Sequence, residues 1–429
     1  MDSSRKTAFD VLLDMEKEKS YSNLTLNRFI AENRPENSAF TRELVYGVLE
    51  NKILLDYYLD NLIPSGIKKV KKKEACILRL GLYQIIFMES VPPYAAVNES
   101  VNMAKKICRG REGFINGVLR GYMKKNIRLP EERKDFLSVK YSFPPWIIEL
   151  WREEYGDRMC ETLLEASNRR PQLSIRVNLL KTDRTSLADV LKEKGFEVSE
   201  GKFSERILHV RGTGLLSLRE YEMGLFSIQD EASALAADML GAAPGDRVID
   251  VCAAPGGKTC AIGEMMANEG RIEAFDIYEH KLPLIRQQAD RLGIEIITAG
   301  TMDSAEGSES LYETADKLLA DVPCSGLGVI RRKPEIKYKE IQDFTELEVL
   351  QGRILEKSSQ YLKIGGTLVY STCTIRDREN GGQIRRFLEK HREFELIEER
   401  QLLPTEDIDG FYICKMLKRG EDTSYGSWI

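Results

Sequence analysis

Two cysteines and an aspartate occupy the ends of two predicted strands in the second half of the sequence. Asp321-Val-Pro-Cys324 closes the predicted strand 317–321, and Ser-Thr-Cys373 closes the predicted strand 366–371. A single buried cysteine is more often a small core residue than a nucleophile. Two thiols at neighbouring carboxyl ends of a parallel sheet can instead share one cleft, so we predict a catalytic pair.

Two thiols suit the methylation of carbon 5 of a pyrimidine. That carbon is a poor nucleophile until a thiolate adds to C6, after which C5 can attack a sulfonium methyl group. A base then removes the C5 proton before the thiol leaves. Asp321, placed near N3, would stabilise the charge that develops when sulfur adds. A thiolate forms more readily beside a cation, for which Lys258 is a candidate, and the residues alone leave open which cysteine attacks.

A glycine-containing loop follows an earlier predicted strand and reads Asp250-Val-Cys-Ala-Ala-Pro-Gly-Gly-Lys-Thr259. Gly256 and Gly257 permit a tight turn and a close approach of backbone N–H groups to a ligand. A nucleoside-triphosphate loop is rejected because Cys252 stands where its first glycine must be, and the nicotinamide fingerprint is absent. The loop therefore favours S-adenosylmethionine (SAM), whose carboxylate needs a less glycine-rich cradle than a pyrophosphate.

Two further aspartates follow predicted strands beyond this loop. Asp276 lies 20 positions after Gly256, where an acidic side chain can accept hydrogen bonds from ribose hydroxyls. Asp303 follows the third strand and could reach an adenine or hold its own loop. For either aspartate the alternative interpretation is a helix N-cap.

Alternating strands and helices must position these residues. From residue 243 onward the pattern predicts a parallel, doubly wound sheet with its ligand at the carboxyl ends of the strands. The predicted strands are 247–252, 271–276, 295–298, 317–321 and 366–371, and the predicted helices include 279–292 and 346–362. Before them, strands at 173–178 and 207–210 around a helix at 186–194 predict a small α+β module.

The first 140 residues read as helical throughout and are basic. They carry 25 Lys and Arg against 18 Asp and Glu, whereas the remaining residues carry 38 against 50. This asymmetry indicates a basic module that meets a polyanion, although solvated helix faces would look the same. The basic residues include a cluster formed by Lys68, Lys69, Lys71, Lys72 and Lys73. Residues 129–145, with Pro144-Pro145 at their end, read as a linker or hinge.

A second basic stretch follows Cys324. Arg331-Arg332-Lys333 precedes Lys337-Tyr338, and basic side chains with an aromatic ring suit a phosphate backbone and an unstacked base. We therefore predict that this stretch contacts RNA, with a solvated loop as the alternative.

Several classes of protein are disfavoured by composition. The sequence has no apolar run of eighteen residues, and its polar first residues lack the apolar core of a secretory signal. The eight cysteines form no C-x-x-C pair, and the three histidines are isolated. We therefore predict a cytoplasmic protein with no membrane span, no disulfide framework and no bound metal.

Together these motifs resemble those of the RNA cytosine-C5 methyltransferases of the Sun/Fmu family. The matching stretches are 252–258, 321–326 and 371–373, with 229–233 upstream and 409–411 near the end. The N-terminal part resembles the NusB-like RNA-binding domain. The resemblance implies an all-α NusB-like domain at 1–140, a helical linker at 141–170, a small α+β RRM-like module at 171–220 and a Rossmann-like SAM-dependent methyltransferase domain at 221–429.

The resemblance also assigns roles. It implies that Cys373 is the nucleophile, that Cys324 assists product release and that Asp321 also serves the cytosine. The residues expected to contact SAM or order its site are Cys252, Ala253, Ala254, Pro255, Gly256, Gly257, Lys258, Asp276, Asp303 and Asp321. The family often has a second glutamate two positions after Glu379, and Gly381 stands there instead, which leaves a role for that position in doubt.

The expected substrate is 16S rRNA, free or in an assembling small subunit, with 5-methylcytidine as product. The alternatives are a cytosine in transfer RNA or another RNA, and a non-catalytic NusB-like RNA-binding factor. An exocyclic N-methyltransferase is disfavoured because it would carry Asn/Asp-Pro-Pro-Tyr where this chain has Asp321-Val-Pro-Cys324, and N-methylation needs no thiol.

Overall fold

The chain forms two compact units, each of which is built from two separate stretches of sequence. The computed structural model describes residues 2–18, 22–340, 342–405 and 407–420. The first unit comprises Met1–Arg169 and Ile330–Lys339, and the second comprises Arg170–Val329 and Glu340–Ile429. No helix in these described ranges is both long enough and apolar enough to cross a membrane.

The first unit is built around one central helix. Its helices are α1 (Ser3–Glu18), α2 (Ser22–Asn33), α3 (Ser38–Glu50), α4 (Lys52–Leu62), α5 (Lys72–Phe87), α6 (Pro93–Ile107), α7 (Glu112–Lys124), α8 (Arg133–Tyr141) and α9 (Pro145–Ala166). The middle of α5 is buried on all sides, from Glu74 to Gln84. A helix that is buried all round must be enclosed by other elements, and α1, α3, α4, α6 and α7 pack against it.

The predicted linker at 129–145 is wrong for most of its length, because α8 lies within it. Glu132 caps this helix by accepting hydrogen bonds from the backbone N–H groups of Lys134 and Asp135. The helix ends at Ser142, whose left-handed backbone (φ 56°) turns the chain. The proline pair marks only the start of α9, where a proline at the first helical position is favourable.

The returning segment (Ile330–Lys339) is part of the first unit, and this overturns the prediction of RNA contact for three of its residues. The first of them, Arg331, is only 4% exposed. Lys337 is only 1% exposed, and its Nζ atom lies 3.9 Å from the centre of the Phe143 ring. It donates hydrogen bonds to the Glu50 carbonyl (3.1 Å) and to Asn168 Oδ1 (2.8 Å). Tyr338 donates its hydroxyl proton to the Leu49 carbonyl at 2.6 Å. Lys337 and Tyr338 therefore hold the segment to the helices and are not displayed for RNA.

The second unit begins with a small antiparallel sheet. Its elements are β1 (Leu173–Val177), α10 (Arg184–Glu193), β2 (Glu197–Glu200), β3 (Ile207–Arg211), α11 (Arg219–Glu222) and β4 (Phe226–Ile228). Within the described residues the strand order is β2-β3-β1-β4. Leu187 and Leu191 of α10 pack against Ile175, Val177 and Leu208 of the sheet. The predicted small α+β module is confirmed.

A larger mixed sheet forms the rest of the second unit. The elements are α12 (Glu231–Leu240), β5 (Arg247–Asp250), α13 (Gly257–Met265), β6 (Arg271–Asp276), α14 (Leu282–Leu292), β7 (Ile297–Thr301), β8 (Ala315–Asp321), α15 (Gln342–Ser358), β9 (Leu362–Thr372), α16 (Gly381–Lys390), β10 (Phe394–Leu402) and β11 (Phe411–Lys418). In the described chain the order is β10-β11-β9-β8-β5-β6-β7. Strands β5 to β9 are parallel, and β10 and β11 add an antiparallel edge.

Both faces of this sheet are covered, as expected for buried parallel strands. Val248 of β5 packs with α12 and α13, whereas its neighbour Ile249 packs with α15 and α16 on the opposite face. The predicted doubly wound α/β domain is thereby confirmed. Chain order reverses between β5 and β8, and ligands of such sheets bind at the carboxyl ends beside that reversal.

Burial of Lys337 predicts a measurable pH dependence of stability. Burial lowers the pKa of this ammonium group to about 7, although the nearby Glu50 charge opposes the shift. The unfolded chain, with an ordinary lysine pKa near 10.4, therefore binds more protons between about pH 7 and pH 10, and stability should rise with pH in that window. The free energy of unfolding can be measured by urea titration followed by tryptophan fluorescence at several pH values. Its increase with pH in that window should be smaller in Lys337→Met than in the parent, by up to about 1.4 kcal/mol per pH unit.

The exposed Lys68 provides the control, because Lys68→Met removes a lysine without removing a buried charge. Parent and Lys68→Met should show the same pH profile. A Lys337→Met profile parallel to that of the parent would contradict the assignment.

Candidate active site

The loop after β5 is shaped by a glycine and a buried aspartate. Gly256 has a φ of 101°, and a Cβ atom there would lie 3.1 Å from the Ile285 Cα, so a larger residue would be both strained and crowded. Asp250 accepts hydrogen bonds from Thr259 Oγ1 at 2.7 Å and from the Cys252 N–H at 3.3 Å. These contacts join the strand end to the loop and to the first turn of α13.

Asp250 was not among the residues singled out from the sequence. Its side chain is buried, and burial raises the pKa of this carboxyl group to about 7. Its position at the end of a strand directly before a glycine loop was the available signal. Sequence alone could not show that Thr259 turns back to hydrogen-bond it.

A cavity of about 220 Å³ lies against this loop. Seven of the residues predicted to contact or order SAM line it, namely Cys252, Ala253, Ala254, Pro255, Gly257, Lys258 and Asp321. Asp250 and four residues from the end of β4, the β4–α12 connection and α12 complete the lining: Ile228, Gln229, Asp230 and Ser233. The sequence analysis assigned these four no site role, although the stretch 229–233 contributed to the family resemblance.

Three predicted cofactor residues do not line the cavity. Gly256 acts through the shape of the loop. Asp276 ends β6 and accepts a hydrogen bond from the Tyr278 N–H at 3.0 Å, with Lys281 Nζ at 3.7 Å. Asp303 is exposed and accepts from the Ala305 N–H at 2.9 Å. Both aspartates thus make local turn contacts, and their roles toward SAM stay predictions.

The two predicted cysteines lie side by side. Strands β8 and β9 are adjacent and parallel, with Asp321 paired to Ser371 at their carboxyl ends. The chain beyond those ends brings Cys324 Sγ to 3.2 Å from Cys373 Sγ. The two thiols are therefore in contact just beyond the ends of the strands that carry Asp321 and Ser371.

Hydrogen bonds hold the two cysteine loops together. The fully buried Glu379 accepts from the Ser325 N–H at 2.8 Å and from Gln351 Nε2 at 2.9 Å. The hydroxyl groups of Ser325 and Thr374 lie 2.8 Å apart, and the Gly328 N–H donates to the Cys373 carbonyl at 3.1 Å. Although Gly381 lacks the carboxylate often found there, Glu379 supplies one directly behind Cys324.

One ion pair links the cofactor loop to the cysteine strands. Lys258 Nζ lies 2.7 Å from Asp321 Oδ2, and Ser371 Oγ donates to Asp321 Oδ1 at 2.7 Å. Burial lowers the pKa of Lys258, but the charge and hydrogen bond of Asp321 outweigh it, so the pKa is raised and the ammonium form persists. Charge on Cys373 also raises the pKa of Lys258, so the Lys258 ammonium group lies close enough to Cys373 to interact with it.

The partner thiol has the opposite tendency. A hydrogen bond to Cys373, burial and the charges of Cys373, Glu379 and Asp321 together raise the pKa of Cys324 well above its usual range. Cys324 is therefore held protonated, while Cys373 is the sulfur that interacts with a cation. This asymmetry could not be derived from the sequence, where the two thiols were equivalent until the resemblance ranked them. Within the described ranges, no group of three or more His, Cys, Asp or Glu residues could hold a metal ion.

Comparisons with known proteins match each part of the chain. The family model for the 16S rRNA methyltransferases RsmB/F matches residues 237–417. The NusB family model matches 2–124, and the model of the RsmF/B-like ferredoxin-like domain matches 143–214. A probable ribosomal RNA small subunit methyltransferase B from Bacillus subtilis (strain 168) is 38% identical over an alignment of 446 positions. The alignment covers 97% of this chain and 99% of that protein. The chain belongs to the ribosomal RNA small subunit methyltransferase B family.

Solved structures agree with membership of the methyltransferase B family. The crystal structure of the protein PH0851 has a TM-score of 0.84 and 26% identity, covering 97% of this chain and 98% of that one. A methyltransferase homologue from Pyrococcus horikoshii has a TM-score of 0.60 and 28% identity, covering 66% and 97%. As a member of the methyltransferase B family, this protein is a SAM-dependent methyltransferase, which confirms the predicted family, fold class and cofactor.

The contacts of Glu379 predict that its carboxylate stabilises the paired cysteine loops. Glu379→Ala leaves two donors without their acceptor, each at a cost of about 1–3 kcal/mol when buried. We expect a lower thermal midpoint and slower methyl transfer, because Cys324 loses its support. The exposed Glu389 lies on α16, and Glu389→Ala is the matched control. An unchanged thermal midpoint and rate in Glu379→Ala would contradict this role.

Proposed function

We propose that the protein transfers a methyl group from SAM to carbon 5 of a cytosine in 16S rRNA, giving 5-methylcytidine in the cytoplasm. The observation that supports this most strongly is the 3.2 Å separation of the Cys324 and Cys373 sulfur atoms, beside the Lys258–Asp321 ion pair. Methyl transfer to an exocyclic nitrogen or to a ribose oxygen would need no thiol. Methylation of carbon 5 does need a thiol, because a thiolate must first add to C6. The second thiol is suited to assisting release of the first from the product.

The residues around the 220 Å³ cavity fit SAM. Backbone N–H groups of the loop 252–257 and the start of α13 suit its carboxylate, and Asp276 and Asp303 are the candidates for its ribose and adenine. When bound, SAM supplies an electrophilic methyl group on a sulfonium sulfur. The loop and Asp250 then have only to orient that group toward the cysteine cleft and exclude water.

Cys373 forms the bond to C6 of the cytosine in this proposal. Lys258 favours its thiolate. As sulfur adds to C6 and N3 takes up a proton, the Asp321 carboxylate, oriented by Lys258 and Ser371, can accept a hydrogen bond from that N3–H group. The electron pair of the C5–C6 double bond then becomes available at C5 and forms the bond to the methyl group, whose bond to the donor sulfur breaks so that a neutral thioether would leave. Loss of the C5 proton to a base restores the double bond and expels Cys373 as a thiolate. The protonated Cys324, 3.2 Å away, can hydrogen-bond to that leaving sulfur.

The lysine cluster of the first unit is suited to the RNA backbone. Its five lysines are exposed and surround the start of α5. Cations are unfavourable at a helix N-terminus, whereas phosphate groups are stabilised there. The cluster therefore contributes little to folding and fits a phosphate-binding surface.

The target cytosine must be unpaired or extruded from its stack, because C6 has to be open to the sulfur and C5 to the methyl group.

Methyl transfer from labelled SAM to unmodified 16S rRNA tests the proposed function. The RNA is supplied both free and in small subunits, and the product is hydrolysed to nucleosides. Label in 5-methylcytidine is the expected result, and the two forms of RNA identify the state in which the target is recognised. Label only in another nucleoside, or no label in either form, would contradict the proposal.

The two cysteines should fail in different ways. Cys373→Ala should lose turnover while binding SAM as tightly as the parent, because the nucleophile is absent but the cofactor loop is intact. Cys324→Ala should accumulate a protein–RNA adduct, visible as a slow band on a denaturing gel that dithiothreitol does not remove. Methylation by Cys373→Ala, or normal turnover without adduct in Cys324→Ala, would contradict these roles.

Neutralising the lysine cluster should weaken RNA binding without affecting SAM. Replacing Lys68, Lys69, Lys71, Lys72 and Lys73 by Ala should reduce RNA affinity at low salt and flatten the dependence of log Kd on log salt concentration. Titrations at several salt concentrations measure both effects. Unchanged affinity and slope would mean that the cluster is only a solvated surface.

A further inference from the structure

A buried arginine of the small sheet reaches the cofactor loop of the methyltransferase domain. Arg176 lies on β1, and its side chain is fully buried. Its guanidinium group makes a two-pronged contact with Glu264 of α13, with Nε at 2.9 Å and Nη2 at 2.7 Å from the carboxylate oxygens. The remaining nitrogen, Nη1, donates to the Gly257 carbonyl at 2.8 Å and to Gln229 Oε1.

The ion pair with Glu264 already neutralises the buried charge. A second arginine, Arg206, directly precedes β3; it shares that carboxylate at 3.5 Å and also contacts Asp238 and the Ala261 carbonyl. Two arginines and two carboxylates therefore balance, as buried charges require. The Nη1 contacts of Arg176 add no further charge compensation, because a backbone carbonyl and an amide oxygen are neutral acceptors.

Both of those neutral acceptors border the candidate cofactor cavity. Gly257 begins α13 and Gln229 precedes α12, and each lines the 220 Å³ cavity beside the predicted SAM residues. Gln229 in turn donates from Nε2 to Ser233 Oγ at 3.2 Å, and Ser233 is a further lining residue. One guanidinium group thus fixes two separate walls of the cavity relative to each other.

We propose that Arg176 is a positioning residue for the SAM site, through which the small antiparallel module makes the cofactor cavity competent to bind. The inference rests on the proposed function of that cavity. Only a planar guanidinium can serve Glu264 and the two cavity-wall acceptors at once, since a lysine ammonium keeps the charge but not the fork. The module therefore contributes to cofactor binding although it supplies none of the predicted cofactor residues.

Arg291 offers a matched control for the module junction. It lies on α14 of the methyltransferase domain and donates to the carbonyls of Tyr221 and Phe226 and to Ser227 Oγ, at 2.7–2.9 Å. Like Arg176, it joins the small sheet to the larger domain. Within the described residues, its hydrogen bonds to that sheet end on these groups and not on the cofactor loop.

The experiment compares Arg176→Gln, Arg176→Lys and Arg291→Lys in the full-length chain. SAM binding is measured by calorimetry without RNA, together with the thermal midpoint, kcat and the KM values for SAM and RNA. We expect Arg176→Gln to weaken SAM binding at least tenfold and to raise the KM for SAM more than that for RNA. Arg176→Lys should recover part of the loss, and Arg291→Lys should lower the thermal midpoint while changing SAM affinity less than twofold.

Equal SAM affinity in Arg176→Gln and the parent, or an equal loss in Arg291→Lys, would overturn the proposal. If the Arg176 variants do not fold, SAM binding is compared between two variants of Gln229. Gln229→Glu keeps an acceptor for Arg176 Nη1, whereas Gln229→Met does not. Tighter SAM binding by Gln229→Glu than by Gln229→Met supports the proposal, and equal binding overturns it. A parent protein that fails to bind SAM would overturn the proposed function itself, which separates the two failures.

Discussion

The ion pair between Lys258 and Asp321 is the contact on which the active-site geometry depends. It joins the first turn of α13 to the carboxyl end of β8. Helix α13 directly follows β5, and chain order in the sheet reverses between β5 and β8. The ammonium group contacts one carboxylate oxygen of Asp321 and interacts with Cys373, while Ser371 donates to the other carboxylate oxygen. One interaction thereby connects the cofactor loop with Asp321 and with the proposed nucleophile, Cys373.

The rest of the second unit keeps that interaction in place. Helices on both faces bury the parallel strands, so their carboxyl ends are held in register. Asp250 accepts a hydrogen bond from Thr259 and so stabilises the cofactor loop. Glu379 accepts a hydrogen bond from the Ser325 N–H group and so stabilises the loop that carries Cys324. These are buried carboxylates with specific donors, an arrangement that is costly unless every contact is made. Such contacts favour a single arrangement of the two thiols.

Much of this could be predicted from the sequence, because strand and loop patterns depend on local residues. The alternation around β5, β6 and β8, the glycine loop and the cysteines at strand ends were visible directly. Strands β10 and β11 were not, because the frequent charges of β10, including Glu395, Glu398 and Glu399, hide its alternation. The burial of Lys337 and the support from Glu379 depend on segments distant in sequence, so no local pattern reported them.

The central claim is that the cation of Lys258 makes Cys373, and not Cys324, the reactive thiol. Alkylation of the full-length protein by iodoacetamide between pH 5.5 and pH 9.5, quantified for each cysteine peptide by mass spectrometry, tests it directly. The account predicts that Cys373 reacts at lower pH than Cys324 and that Lys258→Met slows its reaction at neutral pH. Preferential alkylation of Cys324, or a Cys373 profile unaffected by Lys258→Met, would contradict it.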